Sequence, residues 1–352
     1  MRNWEGQEAE RRSVEQPLAN RPTAEGDQAT QTFFVLGDWG RQGEFNQTEV
    51  AEQMAAQART YKPAFVVNTG DNFYPGGLFS VDDPNFDDSF RNVYDAPELQ
   101  VPFHGVLGNH DYGDGQDPRI REECKVLTGA DCGRDCCYSP LHQLDATLWK
   151  QDARWHMQRS KTLPLAGGML DLFFYDTPPF VAEYRTHAWS EYPGGLASQS
   201  WAAGLRELES ALAQSEAAWK VVIGHHPVRS NGMHGDTMEL REHVEPLLEK
   251  YGVQLYLCGH DHLLEHIHKE GGLTHFIVSG GGSQTRSGFS SKLDSIFQYD
   301  ASGFVAVSVS NTEITADFFG IESEQPLHTA HIPLHHLHAL TSMRRGEAVD
   351  SM

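Results

Sequence analysis

The chain has 352 residues, enough for one large domain or two small ones, and its hydrophobic content of 39% is sufficient for a sizeable core. The formal net charge of −22 argues against nucleic acid or an anionic membrane as the partner, because both are bound by basic surfaces. The sequence has no run of about 18 or more apolar residues, so no transmembrane helix is expected.

The two ends of the chain differ in composition from the region between them. Residues 1–31 are polar and charged, which predicts a disordered tail. This stretch has no apolar core of the secretory type, so we expect no recognisable signal peptide in it. A folded region is predicted over 32–327, and a histidine-containing tail over 328–352 is expected to be solvated.

The first predicted elements are a strand at 32–36, an amphipathic helix at 48–61 and a strand at 64–68. Their short links indicate a βαβ unit with parallel strands. Helices are predicted further on at 88–94, 200–217 and 237–251. The remaining predicted strands are 103–107, 170–175, 219–223, 253–258, 264–268, 274–278, 304–310 and 313–319.

Four of the five cysteines, Cys124, Cys132, Cys136 and Cys137, fall within a predicted insertion at 115–140. An even local cluster favours two disulfides and an oxidising compartment. A zinc site or free thiols are the alternatives, although the spacing lacks the usual C-x2-C pair of zinc sites. The fifth, Cys258, ends an apolar run and is predicted to be a buried free thiol.

Five predicted strands each end in a glycine followed by a residue that can bind a metal ion. Open α/β sheets place their ligand sites outside the carboxyl ends of strands, so these residues are expected to converge. Singly, each has an ordinary explanation, such as a helix cap or a packed histidine. The five blocks are Gly37-Asp38-Trp39-Gly40, Gly70-Asp71-Asn72-Phe73-Tyr74, Gly108-Asn109-His110-Asp111, Gly224-His225-His226-Pro227 and Gly259-His260-Asp261-His262.

In this order the five blocks resemble the signature of the purple acid phosphatases, and most closely their small single-domain form, the mammalian tartrate-resistant and small plant enzymes. The resemblance covers about residues 32–327, which would then be the catalytic domain. It implies an α/β metallophosphoesterase fold, a four-layer α-β-β-α sandwich of two mixed sheets.

The resemblance also implies a centre of two metal ions. One ion would be Fe³⁺, and the other a divalent iron, zinc or manganese ion. Charge counting agrees, since three anionic groups with one imidazole suit a trivalent ion, and one shared carboxylate with an amide and two imidazoles suits a divalent ion. The implied ligands are Asp38, Asp71, Tyr74 and His262 for Fe³⁺, and Asp71, Asn109, His225 and His260 for the divalent ion.

The first block separates this chain from the wider calcineurin-like metallophosphoesterases, which usually carry a ligand histidine two residues after the aspartate. Gly40 stands at that place here, and Tyr74 would fill the vacant coordination position. The implied reaction is hydrolysis of small phosphate monoesters at acid pH, with metal-bound hydroxide attacking phosphorus in line. His110 and His234 match family histidines that would bind the phosphoryl oxygens and protonate the leaving alkoxide.

Two other functions stay open on the sequence. One is a generic metallophosphoesterase that acts on diesters or phosphoproteins, and the other is a non-catalytic metal- or phosphate-binding protein.

Asp111 is expected to orient a ligand, and His226 to be a structural neighbour. The resemblance implies a secreted, lysosomal or vacuolar location, a monomer is expected, and Asn46-Gln47-Thr48 is a glycosylation sequon.

Overall fold

The computed structural model describes residues 30–115 and 138–334. Almost all of the predicted N-terminal tail, the four clustered cysteines with most of the insertion, and the end of the histidine-containing tail lie outside these residues. Within the described part Cys258 is buried and free, as predicted.

The first sheet has seven strands in the order β14-β13-β12-β1-β2-β3-β4. Four neighbouring strands, β1 to β4, are parallel, and β12 to β14 continue the sheet antiparallel to one another, with β12 antiparallel to β1. The strands are β1 (Gln31–Leu36), β2 (Val66–Asn68), β3 (Phe103–Gly105), β4 (Trp155–Met157), β12 (Gly303–Val309), β13 (Glu313–Gly320) and β14 (His328–Pro333).

The second sheet also has seven strands, in the order β11-β9-β10-β8-β7-β6-β5. Its centre is again parallel, over β6, β7, β8 and β10, and β5, β9 and β11 are antiparallel to their neighbours. The strands are β5 (Ser160–Leu165), β6 (Leu170–Tyr175), β7 (Trp219–Ile223), β8 (Leu255–Cys258), β9 (Leu264–His268), β10 (His275–Ser279) and β11 (Ser295–Tyr299).

The alternation of side chains along the strands produces four layers. In β1, Phe33 and Val35 enter the core between the sheets, whereas Phe34 and Leu36 pack with the outer helical layer. The outer faces of both sheets are covered in this way, which confirms the predicted α-β-β-α sandwich of two mixed sheets. The helices are α1 (Gln47–Tyr61), α2 (Pro140–Leu144), α3 (Ala146–Gln151), α4 (Trp201–Gln214), α5 (Met238–His243) and α6 (Glu245–Lys250).

The helix predicted over 237–251 is divided into α5 and α6. Pro246 lies in the first turn of α6 and has no amide hydrogen with which to continue α5, so the chain restarts there. None of the helices in the described ranges combines the length and the apolar character that a membrane span requires.

The prediction of a solvated tail from residue 328 is wrong for its first residues. Strand β14 pairs with β13 and completes the first sheet. His328 Nε2 lies 3.0 Å from His266 Nδ1, and His266 Nε2 lies 2.9 Å from His275 Nδ1. Three imidazoles in a row therefore join β14 of the first sheet to β9 and β10 of the second.

Candidate metal centre

The predicted ligands lie at the carboxyl ends of parallel strands in both sheets. Asp38 follows β1, Asp71 follows β2 and Asn109 follows β3, all in the first sheet. In the second sheet His225 follows β7, and His260 with His262 follows β8. Asp38, Asp71 and His260 have positive φ angles of 60°, 50° and 69°. Such left-handed backbone in non-glycine residues is strained and is often found at functional sites.

One half of the cluster surrounds the phenol oxygen of Tyr74. This oxygen lies 3.3 Å from Asp38 Oδ1, 3.1 Å from Asp71 Oδ2 and 3.1 Å from His262 Nε2. Asp38 and Asp71 are fully buried, and Tyr74 and His262 are nearly so. The four residues that the sequence assigns to one metal ion therefore meet at one point.

The other half of the cluster surrounds His225. Its Nε2 lies 3.0 Å from Asn109 Oδ1 and 3.5 Å from Asp71 Oδ2. The ring of His260 lies 5.1 Å from that of His225, centre to centre. Asp71 belongs to both halves, which is the position the sequence predicts for a bridging carboxylate.

Hydrogen bonds to backbone carbonyls orient the histidines. His225 Nδ1 donates to Thr69 O at 3.0 Å, and His262 Nδ1 donates to Gln284 O at 2.6 Å. In both rings this leaves the Nε2 lone pair directed at the cluster, which is how proteins prepare imidazole for a metal ion. Asp111 accepts from the amides of Asn72 and Gly108, and so ties together the turns that carry Asp71 and Asn109.

The charges of the cluster fit a highly charged cation. Burial raises the pKa of Asp38 well above its usual range, and the charge of Asp71 raises it further. Burial acts in the same direction on Asp71, but the imidazoles of His225 and His110 lower the pKa of its carboxyl to about 2. Burial and the two carboxylates raise the pKa of Tyr74 well above its usual range. A metal cation among these groups would stabilise all three as anions.

The two predicted catalytic histidines line a cleft of about 600 Å³ above the cluster. His110 Nδ1 donates to Pro75 O at 2.6 Å, and its Nε2 lies 4.0 Å from Asp71 Oδ2. The ring of His234 lies 4.3 Å from that of His260, and its Nε2 lies 2.7 Å from Arg286 Nη1. All nine predicted site residues are thus brought together in one place.

His226 occupies the position of a structural neighbour. One of its ring nitrogens lies within 4.8 Å of a ring nitrogen of His225 and of His260. Its two ring nitrogens, however, are bonded to Thr177 Oγ1 at 3.0 Å and to Tyr184 Oη at 2.8 Å. Neither nitrogen is therefore free to bind a metal ion.

The glycine-rich segment 279–283 lies buried next to Asp38. Gly282 N donates to Gly37 O at 3.0 Å, and Ser283 Oγ donates to Asp38 O at 2.5 Å. A Cβ at Gly282 would lie 2.3 Å from Gly37 O, so the glycine permits a close approach of two backbones.

Two arginines at the site were missed on the sequence, because neither lies in a position that a motif marks. Arg286 lies against His234, and the guanidinium of Arg41 lies 3.5 Å from the ring centre of Tyr74. Arg286 comes from a loop that reaches the cluster only in the folded chain. Arg41 directly follows the first block, and its position three residues after Asp38 is the signal that could have marked it.

Comparison with known proteins agrees with this geometry. A family model described as calcineurin-like phosphoesterase matches residues 31–264. Purple acid phosphatase 17 of Arabidopsis thaliana is 40% identical over 306 residues, which cover 83% of this chain and 82% of that protein. Tartrate-resistant acid phosphatase type 5 of Oryctolagus cuniculus is 31% identical over 271 residues, 74% of this chain and 76% of that one.

A solved structure of a purple acid phosphatase from yellow lupin (Lupinus luteus) seeds shares the fold. Its TM-score is 0.62 at 16% identity, over 87% of this chain and 54% of that one. The match to the family model covers more than half of this chain, and both relatives align with most of it. The chain therefore belongs to the calcineurin-like phosphoesterases and, among them, to the purple acid phosphatases.

Proposed function

We propose that this purple acid phosphatase hydrolyses phosphate monoesters in acid with a centre of Fe³⁺ and a divalent iron, zinc or manganese ion. The observation that carries the proposal is the position of Tyr74, whose phenol oxygen lies within 3.3 Å of Asp38, Asp71 and His262. A phenolate beside two carboxylates is a donor set for a hard trivalent ion.

The two halves of the cluster divide the ligands. Asp71 would bridge both ions. When bound, such a pair of metal ions neutralises the charge of a phosphate ester and makes a water molecule more acidic. The proposed ligands are Asp38, Asp71, Tyr74 and His262 for iron, and Asp71, Asn109, His225 and His260 for the divalent ion.

His110 is the proposed acid for the leaving alkoxide. Its Nδ1 proton is engaged by Pro75 O, so the exchangeable proton of the imidazolium is the one on Nε2. This nitrogen faces the cluster, 4.0 Å from Asp71 Oδ2. A proton given from Nε2 to the departing oxygen would prevent the release of an unstable alkoxide.

His234 and Arg286 are proposed to bind the phosphoryl oxygens. Arg286 Nη1 donates to His234 Nε2 at 2.7 Å, so the two side chains form one polar group at the cleft wall. Two hydrogen bonds fix the loop of His234, because its backbone amide and that of Gly235 both donate to the carboxylate of Asp261. Arginine suits this role because its fork of donors matches phosphate oxygens.

The complete donor set supports an enzyme over a non-catalytic binding protein, since no proposed ligand is missing from the cluster. Gly40 and Tyr74 favour a purple phosphatase over a phosphoesterase with the usual Asp-x-His block. A secreted, lysosomal or vacuolar location is in keeping with acid activity and with the two disulfides that the sequence favours for the cysteine cluster.

The first experiment is a visible absorption spectrum of the purified protein, with metal analysis and a phosphomonoester assay at acid pH on the same sample. We expect two metal ions per chain, one of them iron, and a purple tyrosinate-to-iron band. Tyr74→Phe should abolish the band and leave measurable hydrolysis, whereas Tyr184→Phe, a phenol in the same cleft, should keep the band. A colourless protein that binds two zinc or manganese ions would refute the role of Tyr74.

A further inference from the structure

Arg41 lies over the ring of the proposed iron ligand Tyr74. The centre of its guanidinium is 3.5 Å from the ring centre of Tyr74. The ring of Phe45 lies on the cation as well, at 5.5 Å. A guanidinium held on the face of an aromatic ring is attracted by the negative charge of that face, and more strongly where water is partly excluded.

The loop that carries Arg41 is built to hold it there. Gly40 O accepts from the amide of Tyr74 at 2.9 Å, so the two turns are joined directly. The buried side chain of Gln47 accepts from the amides of Arg41 and Gly43, at 3.0 and 2.8 Å. Backbone hydrogen bonds thus fix the starting point of the arginine side chain.

Among the described residues Arg41 forms no ion pair within 4.0 Å, and its buried Nε has no hydrogen-bond partner. Its charge instead acts on the cluster, where it favours the charged forms of Tyr74 and Asp38. Of the two rings against which the guanidinium lies, that of Tyr74 is the nearer.

We propose that Arg41 is a positioning residue that tunes Tyr74 as a ligand, by lowering the energy of the phenolate electrons that it shares with iron. This inference rests on the proposed function, since it requires Tyr74 to bind Fe³⁺. The guanidinium lies on the ring, whereas the phenol oxygen points away to Asp38, Asp71 and His262. The positive charge is therefore closer to the phenolate electrons than to the iron. It lowers the energy of these electrons more than that of the iron orbitals, and so it raises the energy of the tyrosinate-to-iron transition.

The test is the wavelength of the tyrosinate-to-iron band in the full-length, metal-loaded protein. Arg41→Gln should shift the band maximum to longer wavelength at unchanged iron content, and Arg41→Lys, which keeps a charge, should shift it less. Arg286→Gln is the matched control, because it removes an arginine of the same cleft that does not lie on the ring. Because the charge of Arg286 lies near His262 and not on the ring of Tyr74, its removal should not shift the band to longer wavelength.

The outcomes separate the two proposals. If the wild-type protein binds iron and has no visible band, the proposed function fails, and with it the inference. If the wild-type protein is purple and Arg41→Gln does not move the band, or Arg286→Gln moves it equally, only the inference is overturned. Should Arg41→Gln fail to fold, Phe45→Ala removes a half-exposed ring that confines the guanidinium, and a smaller shift to longer wavelength is expected.

Discussion

His260 and Asp38 are 222 positions apart in the chain, yet the backbone amide of His260 donates to Asp38 Oδ2 at 2.9 Å. Each residue is proposed to bind a different metal ion, and each belongs to a different sheet. The hydrogen bond therefore couples the two halves of the metal centre as well as the two sheets. Any change that separates these two atoms should disturb both metal ions.

Gly259→Ala tests this coupling. A Cβ at position 259 would lie 2.2 Å from Asp38 Oδ2, so the carboxylate or the turn must move. A displacement of about 1 Å in such a site is expected to reduce kcat about 100-fold. Metal analysis should show a loss of iron as well. Gly204→Ala, within α4, is the control, and full iron content with full activity in Gly259→Ala would contradict the coupling.

His110→Ala should affect substrates according to their leaving group. Alkyl phosphates release a strongly basic alkoxide and need the proton from Nε2, so their kcat should fall roughly 100- to 10,000-fold. Activated aryl phosphates release a stable phenolate and should lose much less. The measurement is kcat for a matched series of esters, with His187→Ala as a control from the same cleft. Equal losses across the series would exclude His110 as the acid.

Glu265→Gln should loosen the loop that carries His234. Glu265 is fully buried, and its carboxylate accepts from the amide and the side chain of Asn231 and from Gln298. The amide of glutamine would direct its NH2 group at one of these N–H donors, which should reduce the unfolding free energy by about 1–3 kcal/mol. Relative to the wild type, we also expect kcat/KM to fall by a larger factor than the metal content. Denaturant unfolding and steady-state kinetics test this, and an unaltered kcat/KM would show that the loop does not depend on Glu265.

The row of imidazoles should make the protein less stable in acid. Burial, followed by the neighbouring histidines His275 and His328, lowers the pKa of His266 from 6.5 to about 3. Between these values the unfolded chain takes up a proton that the folded chain does not, so stability falls as the pH falls. From pH 7 to pH 5 this histidine should remove about 2 kcal/mol.

His266→Gln keeps a donor and an acceptor and has no proton to gain, so its unfolding free energy should vary less between pH 7 and pH 5. His331→Gln, which removes an exposed histidine of β14, is the matched control. Urea unfolding at both pH values, at equal metal content, measures the difference. An identical pH dependence of His266→Gln and wild type would assign the acid sensitivity to other groups.

The sequence predicts the centre of the fold well, because the buried parallel strands are short apolar runs that end in glycine. The strand at Trp219–Ile223, which Gly224 follows, has the predicted bounds. The antiparallel strand at Leu264–His268 also has the predicted bounds, since it too is a short and largely buried run. The strands that were missed lie at or near the sheet edges, as at Ser160–Leu165, where exposed and half-buried positions alternate. Their pairing depends on neighbours distant in sequence, and a local pattern does not contain it.

The same distinction applies to the site. The nine predicted residues each follow a strand or belong to a motif, so the sequence could mark them. Arg41 and Arg286 belong to the site because of their positions in the folded chain. Arg41 lies on the face of Tyr74, and Arg286 lies against His234. The sequence places His328 in a tail, because a single histidine does not indicate that its strand, β14, completes the first sheet.

The division of the site between the sheets has a consequence for how the protein comes apart. Of the proposed ligands, the first sheet carries only oxygen donors, Asp38, Asp71, Tyr74 and Asn109, and the second only the imidazoles His225, His260 and His262. Neither sheet therefore carries the complete proposed donor set of either metal ion. If these residues bind the metal ions as proposed, separation of the two sheets would remove ligands from both ions, and the colour of the protein would report whether the sheets are in contact.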